Sequence, residues 1–269
     1  MNQLEKKILR WQKKPSERRA DGVFIVEGIK MIRELPKERL QAIAASDSFM
    51  KENRFAVSDL EKYCLQDKKA AFIVVSDADY ARLSDTKSPQ GILAVMKAYD
   101  YTAEEIVRAE DGLFIFLENL QDPGNLGTIL RSAEAAGADG VILNENCVDP
   151  YNPKVIRATM GSFFRMKFAV VQDMTAFTRR VREDGAAVYA AHLKGTASYD
   201  EADYGGRTVL LVGNESKGLS DALSNEATAL IRIPMEGKVE SLNAAMAATI
   251  LMFEAARQRR KKGRYNPRT

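Results

Sequence analysis

LENLQDPGNLGTILRSAEAAGADGVIL, from Leu117 to Leu143, decides the fold. It reads as a strand end, a Pro/Gly-rich loop (DPGNLG), a helix, a Gly-containing turn and a second strand, the order of a βαβ unit. Asn125 stands in the loop and Arg131 follows six residues later on the helix. Open α/β sheets place ligands at the C-terminal ends of their strands. A helix opening just after such a loop offers free N–H groups to an anion. A purely structural crossover would carry the same pattern, so the rest of the chain must separate the two readings.

Downstream, GVIL, MKFAVV, AAVYAA, TVLLVG and ALIRIPM are near-continuous apolar runs separated mostly by helical stretches, as LFIFLE is upstream. Strands buried on both faces read this way, which predicts a mainly parallel sheet over residues 113–269. A long helix from about Ser241 to Lys262 closes it, with Leu242, Ala245, Met246, Thr249, Met252 and Phe253 at helical spacing. Upstream, FIVEG, QAIAAS, AFIVVS and GILAVMKA read as short strands and IKMIREL and DLEKYCLQ as helices. Residues 1–104 therefore read as a small α/β sandwich domain, and 105–112, in the polar run DYTAEEIVRAED, as a linker.

Composition narrows the function. No apolar run approaches the roughly 18 residues of a membrane span, and the charged start MNQLEKKILRWQKK lacks the apolar core of a secretion signal, so a cytoplasmic protein is expected. The two cysteines, Cys64 and Cys147, lack metal-ligand spacing and read as reduced thiols. The single histidine, His192, reads as a strand-end or packing residue; with no second His, a His-based metal site is excluded and no metal is expected. The net charge of +3 hides an asymmetry: residues 1–20 carry seven Lys/Arg against two Glu, and residues 257–269 carry seven and no acid. Basic ends on an acidic body imply a polyanion partner held through phosphates.

Three loops share one character: DPGNLG with Arg131, LVGNESKGLS (Leu211–Ser220) and IPMEGKVESLNAA (Ile233–Ala245). Each follows an apolar strand and leads toward a helix, so parallel strands bring them to one sheet edge. Neither Walker A spacing nor a GxGxxG fingerprint is present, which argues against nucleotide hydrolysis and NAD chemistry. Taken alone, Asn125 reads equally as a turn residue, Ser241 as the N-cap of the last helix and Glu215 as a solvated acid. Gly213, Gly218 and Gly237 read as serving backbone conformation and close approach.

The three motifs, in this order and spacing, resemble the SpoU (TrmH-type) RNA ribose 2′-O-methyltransferases of the SPOUT superfamily. The resemblance covers the second half; the first half, with FIVEGIKMIREL and GILAVM, looks like the substrate-binding domain that often precedes it. One departure is Ala244–Ala245 after the SLN core, where Val-Ser is common. The resemblance implies a trefoil-knotted C-terminal domain, S-adenosylmethionine bound in the knotted loops near Leu211, Gly213, Ile233, Met235 and Leu242, and a homodimer through that domain with active sites built across the interface. It also implies methyl transfer to a ribose 2′-OH of RNA. The full N-terminal domain favours rRNA; a tRNA ribose methyltransferase and a non-catalytic RNA-binding or ribosome-assembly factor are the alternatives.

The candidate catalytic residues are Arg131, Asn125, Glu215, Ser241 and Asn243. Guanidinium stays protonated in ordinary settings, so Arg131 is expected to orient the ribose-phosphate and stabilise developing alkoxide charge rather than act as a free base. Glu215 is expected to orient Arg131 or another polar group, with Asn125, Ser241 and Asn243 completing the hydrogen-bond frame.

Overall fold

The computed structural model describes residues 2–66 and 68–263. The last part of the basic tail, residues 264–269, lies outside them. The chain divides into two compact units. One takes the chain up to Tyr99 together with Tyr151–Phe164, and the other takes Asp100–Pro150 and the chain from Arg165 onward.

In the first unit the strands are β1 (Val23–Glu27), β2 (Leu40–Ser46), β3 (Ala71–Val75) and β4 (Ile92–Lys97), in the order β1-β4-β2-β3. The β1/β4 and β4/β2 pairs are antiparallel and β2/β3 is parallel. Helices α1 (Gln3–Lys13), α2 (Pro15–Ala20), α3 (Ile29–Glu34), α4 (Asp47–Asn53), α5 (Ser58–Leu65) and α6 (Asp77–Leu83) surround the sheet. Asn2 caps α1 by accepting from the Glu5 N–H, and Ile8 and Trp11 then face a core of Val23, Ile25, Ala44, Leu93 and Val95.

The basic N-terminus is only partly a free surface. Arg18 is 2% exposed and donates to the Trp11 carbonyl, while Arg10 and Lys14 both pair with Glu17. Lys6, Lys7 and Lys13 remain exposed. Charge counted along the sequence thus overstates the unpaired charge at the surface, because a sequence does not say which cations are paired or buried.

The second unit carries α7 (Ala103–Ile106), β5 (Leu113–Leu117), α8 (Pro123–Ala136) and β6 (Gly140–Asn144). The excursion into the first unit, with α9 (Pro153–Ala158), comes next. The chain returns through β7 (Phe168–Val171), α10 (Met174–Glu183), β8 (Ala187–Ala191), β9 (Ala197–Ser198) and β10 (Thr208–Val212). It finishes with α11 (Asp221–Ser224), β11 (Ala229–Arg232) and α12 (Ala244–Lys261). The seven strands lie in the order β7-β6-β5-β10-β8-β11-β9, and every neighbouring pair is parallel. Phe114, Phe116, Val188, Val209 and Leu211 pack against Met174, Phe177 and Val181 of α10. From the adjacent central strands β5 and β10 the chain departs in opposite directions, toward β6 and toward β11. The crevice outside their C-terminal ends is therefore the topological switch point, where doubly wound sheets bind ligands.

Four local expectations are revised. DPGNLG is not a loop but the first turn of α8. Asp122 is the N-cap, its carboxylate accepting from the Asn125 N–H at 2.7 Å, and Pro123 takes the first helical position that suits its fixed φ. The terminal helix begins at Ala244 rather than Ser241, because the Asn243 side chain accepts from the Ala245 and Met246 N–H groups. Residues 105–112 do not form a free linker: a Thr102/Glu105 capping box starts α7, and Ala103, Ile106 and Val107 join the second unit's core. Tyr151–Phe164 belongs with the first unit, where Tyr151 and Phe163 pack in an aromatic cluster with Phe24 and Tyr99. Aromatic residues far apart in sequence leave no periodic signal of such a cluster.

Near its end α12 is tied back to the sheet. The Arg259 guanidinium donates to the carbonyls of Asp111, Gly112, Tyr204 and Gly206, beside the starts of β5 and β10. Lys262 pairs with Asp203, and Arg257 with Glu254. Hydrogen bonds from a charged donor contribute about 1.5–3 kcal/mol. Arg259→Ala is expected to lower the melting temperature of the purified chain by several degrees, and Arg259→Lys, which cannot reach four carbonyls with one point charge, to recover little of it. An unchanged melting curve would show the clamp to be energetically idle.

Candidate functional site

The loops after β5 and β10 are stapled to each other in both directions. From the β5 side, buried Glu118 accepts from the N–H and the hydroxyl of Ser220, each at 2.7 Å. From the β10 side, Glu215 accepts from the N–H groups of Gln121 (3.3 Å) and Asp122 (3.1 Å) and from the Asn125 side-chain amide (3.0 Å). Asn214 adds a bond from its amide to the Asn119 carbonyl and accepts from the N–H groups of Ser216 and Lys217. A short antiparallel bridge between Asn214 and Gly218 closes the turn, with Gly218 at φ +69°.

This geometry resolves the anion expectation at the start of α8. The N–H groups leading into the helix are satisfied, but by the chain's own carboxylates, Asp122 and Glu215. Burial works to raise the Glu215 pKa. The bonds from Asn125 and from the backbone N–H groups of Glu215, Asp122 and Gln121 outweigh it, and the carboxyl is held below its ordinary value of 4.5. Glu215 is thus a fixed anionic brace at neutral pH, not a poised base.

Asn125 is the hub. Its amide donates to Glu215 while its carbonyl oxygen accepts from Asn243 at 2.9 Å, so one residue from each of the three motifs meets there. Asn243 in turn caps α12. Thr249 of α12 donates to Ser132 of α8 at 2.9 Å, fixing the two helices against each other.

Beside this network lies a cleft of about 640 Å³ at the C-terminal ends of β8, β10 and β11. Gly213, Glu215, Ile233, Met235, Ser241 and Leu242 all line it. Leu211 does not: its side chain is fully buried in the sheet core, because inward and outward positions alternate along β10 and Val212 takes the cleft position. Arg131 does not line it either. It sits exposed on α8 with no acceptor among the described residues, so the polar group that Glu215 orients is Asn125 rather than Arg131. Several lining residues escaped the sequence reading, notably Asn214, Lys194 and Pro234. His192 is a strand-end residue as expected, its N–H bonded to the Ile231 carbonyl, yet its ring also lines the cleft and accepts from the Lys194 N–H. Its place after an apolar strand, at the ligand edge of a parallel sheet, was the signal.

Gly213 is sterically required. A Cβ there would fall far inside van der Waals contact of the Gly218 carbonyl and the Leu219 nitrogen, both backbone. The cleft floor is therefore bare backbone flanked by Val212, Ile231 and Leu251, with polar groups at the rim. That suits a ligand with a flat apolar ring and a polar or charged end. Both thiols are inert by burial: the pKa of each is pushed up to about 11. Among the described residues no group of His, Cys, Asp and Glu is arranged to hold a metal ion, and no helix is long and apolar enough to cross a membrane.

The pH dependence of the brace follows from its depressed pKa. Stability from Glu215 is present above the ordinary carboxylate value of 4.5 and is lost as pH falls through the lower folded value. Glu215→Gln, with one acceptor oxygen for the four donors Gln121, Asp122, Asn125 and Asn214, is expected to cost on the order of 1 kcal/mol at neutral pH. Melting curves of the two proteins should converge at acid pH; a constant gap across the range would contradict this account.

Comparison with known proteins agrees with the geometry. Residues 112–253 match the SpoU rRNA Methylase family and residues 2–94 the MRM3-like substrate binding domain. The 23S rRNA (guanosine(2553)-2'-O)-methyltransferase RlmP of Bacillus subtilis (strain 168) is 31% identical over 259 residues, covering 94% of this chain and 98% of that protein. The AdoMet-bound rRNA methyltransferase of Sinorhizobium meliloti superposes with a TM-score of 0.81 at 31% identity, covering 95% of each chain. The SpoU methyltransferase AviRb of Streptomyces viridochromogenes in complex with AdoMet gives 0.83 at 26% identity, covering 96% of this chain and 98% of that one. With three motifs meeting at Asn125 over a backbone-floored cleft and a family match across more than half its length, the chain belongs to the SpoU rRNA methylase family.

Proposed function

We propose that the chain methylates a ribose 2′-hydroxyl of RNA, with S-adenosylmethionine as the methyl donor and rRNA as the substrate. The observation that carries the reading is the cleft beside Asn125: its size, its bare backbone at Gly213 and its lining by Ile233, Met235 and Leu242 fit a bent adenosyl-methionine. The similarity to RlmP runs through both units, which favours rRNA over tRNA.

When bound, the cofactor supplies an electrophilic methyl group on sulfur. The chain's residues supply position and field. Asn125, Glu215 and Asn243 hold the three loops in one arrangement, so the reacting atoms are lined up before reaction. Arg131 steadies the alkoxide character that develops on the 2′-oxygen as its proton passes to a substrate phosphate or to water, its planar guanidinium also suiting a neighbouring phosphate. Ser241, on the cleft rim, completes the polar frame.

The same reading includes a trefoil knot in the second unit, a cytoplasmic location and a homodimer through the C-terminal domain. Met246 and Phe253, seven residues apart on α12 and both exposed, support a helix face that a second copy covers. Arg131 then serves the second copy's site, consistent with its having no acceptor among the described residues of its own chain. Two domains are proposed to divide the work, the first binding the RNA and the second carrying the reaction.

The test is transfer of labelled methyl from S-adenosylmethionine by the purified chain to protein-free rRNA and, separately, to tRNA. The expected product is a ribose methyl in rRNA, read as an alkali-resistant dinucleotide. Methyl in tRNA alone would move the substrate, and binding of RNA without S-adenosylmethionine binding would leave a non-catalytic RNA-binding factor.

A further inference from the structure

On the first unit, the 3-10 turn Arg54–Val57 joins α4 to α5 and carries Phe55, whose side chain is 96% exposed. The ring leaves its face open to solvent, and an open aromatic face is a platform on which a base can stack. The turn is anchored without the ring: Val57 and Leu60 point inward, and the Ser58 hydroxyl donates to the Phe55 carbonyl at 3.1 Å. Phe55 borders a small cleft of about 180 Å³ that Arg33 and Lys37 also line, with Asp59. Arg33 and Lys37 are exposed and have no acceptor among the described residues. An open aromatic face and two unpaired cations on one small cleft form the pair of features that single-stranded nucleic acid requires: a ring for a base to stack on and charge for its phosphate. The cleft is narrow for a protein helix, and cations on its rim argue against an apolar protein anchor.

We propose that Phe55, Arg33 and Lys37 form a single-nucleotide clamp that stacks one unpaired base of the RNA substrate and holds its phosphate. The clamp rests on the RNA reading above. It grips the substrate through the first unit's own residues, so it acts on RNA affinity and not on the cofactor or the chemical step.

The full chain is assayed for methyl transfer to protein-free rRNA and for binding a fluorescein-labelled 12-residue oligouridylate. Because Phe55 is exposed, its replacement leaves folding intact, checked by an unchanged melting curve. Phe55→Ala is expected to raise KM for rRNA and Kd for the oligonucleotide by roughly tenfold, with kcat and S-adenosylmethionine affinity unchanged. Phe55→Trp should restore both, and its added fluorescence should be quenched by RNA; Phe55→Leu, apolar but without a π-face, should restore neither. Arg33→Ala and Lys37→Ala should each reduce the salt slope of RNA binding by about one. An unchanged KM in Phe55→Ala, or equal rescue by leucine, overturns the clamp, the latter in favour of an apolar protein contact. A wild-type chain that neither binds nor methylates rRNA overturns the RNA reading and the clamp with it. Methylation by wild type with no effect of Phe55→Ala overturns the clamp alone.

Discussion

Gly213→Ala is expected to abolish S-adenosylmethionine binding in calorimetry, with affinity falling by about a hundredfold or more. The added Cβ meets the backbone of Gly218 and Leu219, not a flexible side-chain tip, so the strand end and the return loop must separate. Overpacking of this kind costs roughly 1–3 kcal/mol. A second consequence is positional: a displacement near 1 Å of a site built for alignment costs about 10²-fold in reaction rate as well. Gly206→Ala is the matched control, since a Cβ there meets nothing within 4 Å. Gly213→Ala with near-normal affinity would mean that the cofactor does not lie on this floor.

Arg131→Ala should lower turnover by about 10²–10³-fold, the usual cost of removing one group that stabilises developing charge. Its cofactor affinity and melting temperature should match wild type, because Arg131 neither lines the cleft nor bonds to a described residue of its own chain. Arg131→Lys should recover little, since an ammonium cannot make the planar, two-point contact of a guanidinium. If both variants turned over normally, Arg131 would not be the central catalytic residue. If Arg131→Ala also lost cofactor binding, the division between a cofactor cleft and a substrate-side arginine would be wrong.

Strands β5 to β8, β10 and β11 were legible in the sequence because fully buried parallel strands are continuous apolar runs. The two-residue strand β9 was not, since Ala197–Ser198 carries no such run. The motif residues were legible as a set: Asn125, Glu215 and Asn243 do meet. Their connectivity was not, because a sequence cannot tell that Glu215 spends its oxygens on Gln121, Asp122 and Asn125. DPGNLG misled because Pro and two Gly signal a loop, yet Asp before Pro is also an N-cap before a first helical residue. Leu211 misled because contact with the cleft alternates along a strand, and one residue of register separates Leu211 in the core from Val212 at the cleft. The stapling by Glu118 gave no sequence signal: its partner Ser220 lies 102 residues away.

Mapping of ribose 2′-O-methyl groups in rRNA from cells with and without this chain tests the central claim most directly. One ribose methyl is expected to disappear when the chain is removed. It should return with the wild-type chain but not with Arg131→Ala or Gly213→Ala. An unchanged rRNA methylation map, with the purified chain also inert toward rRNA in the presence of S-adenosylmethionine, would contradict the account.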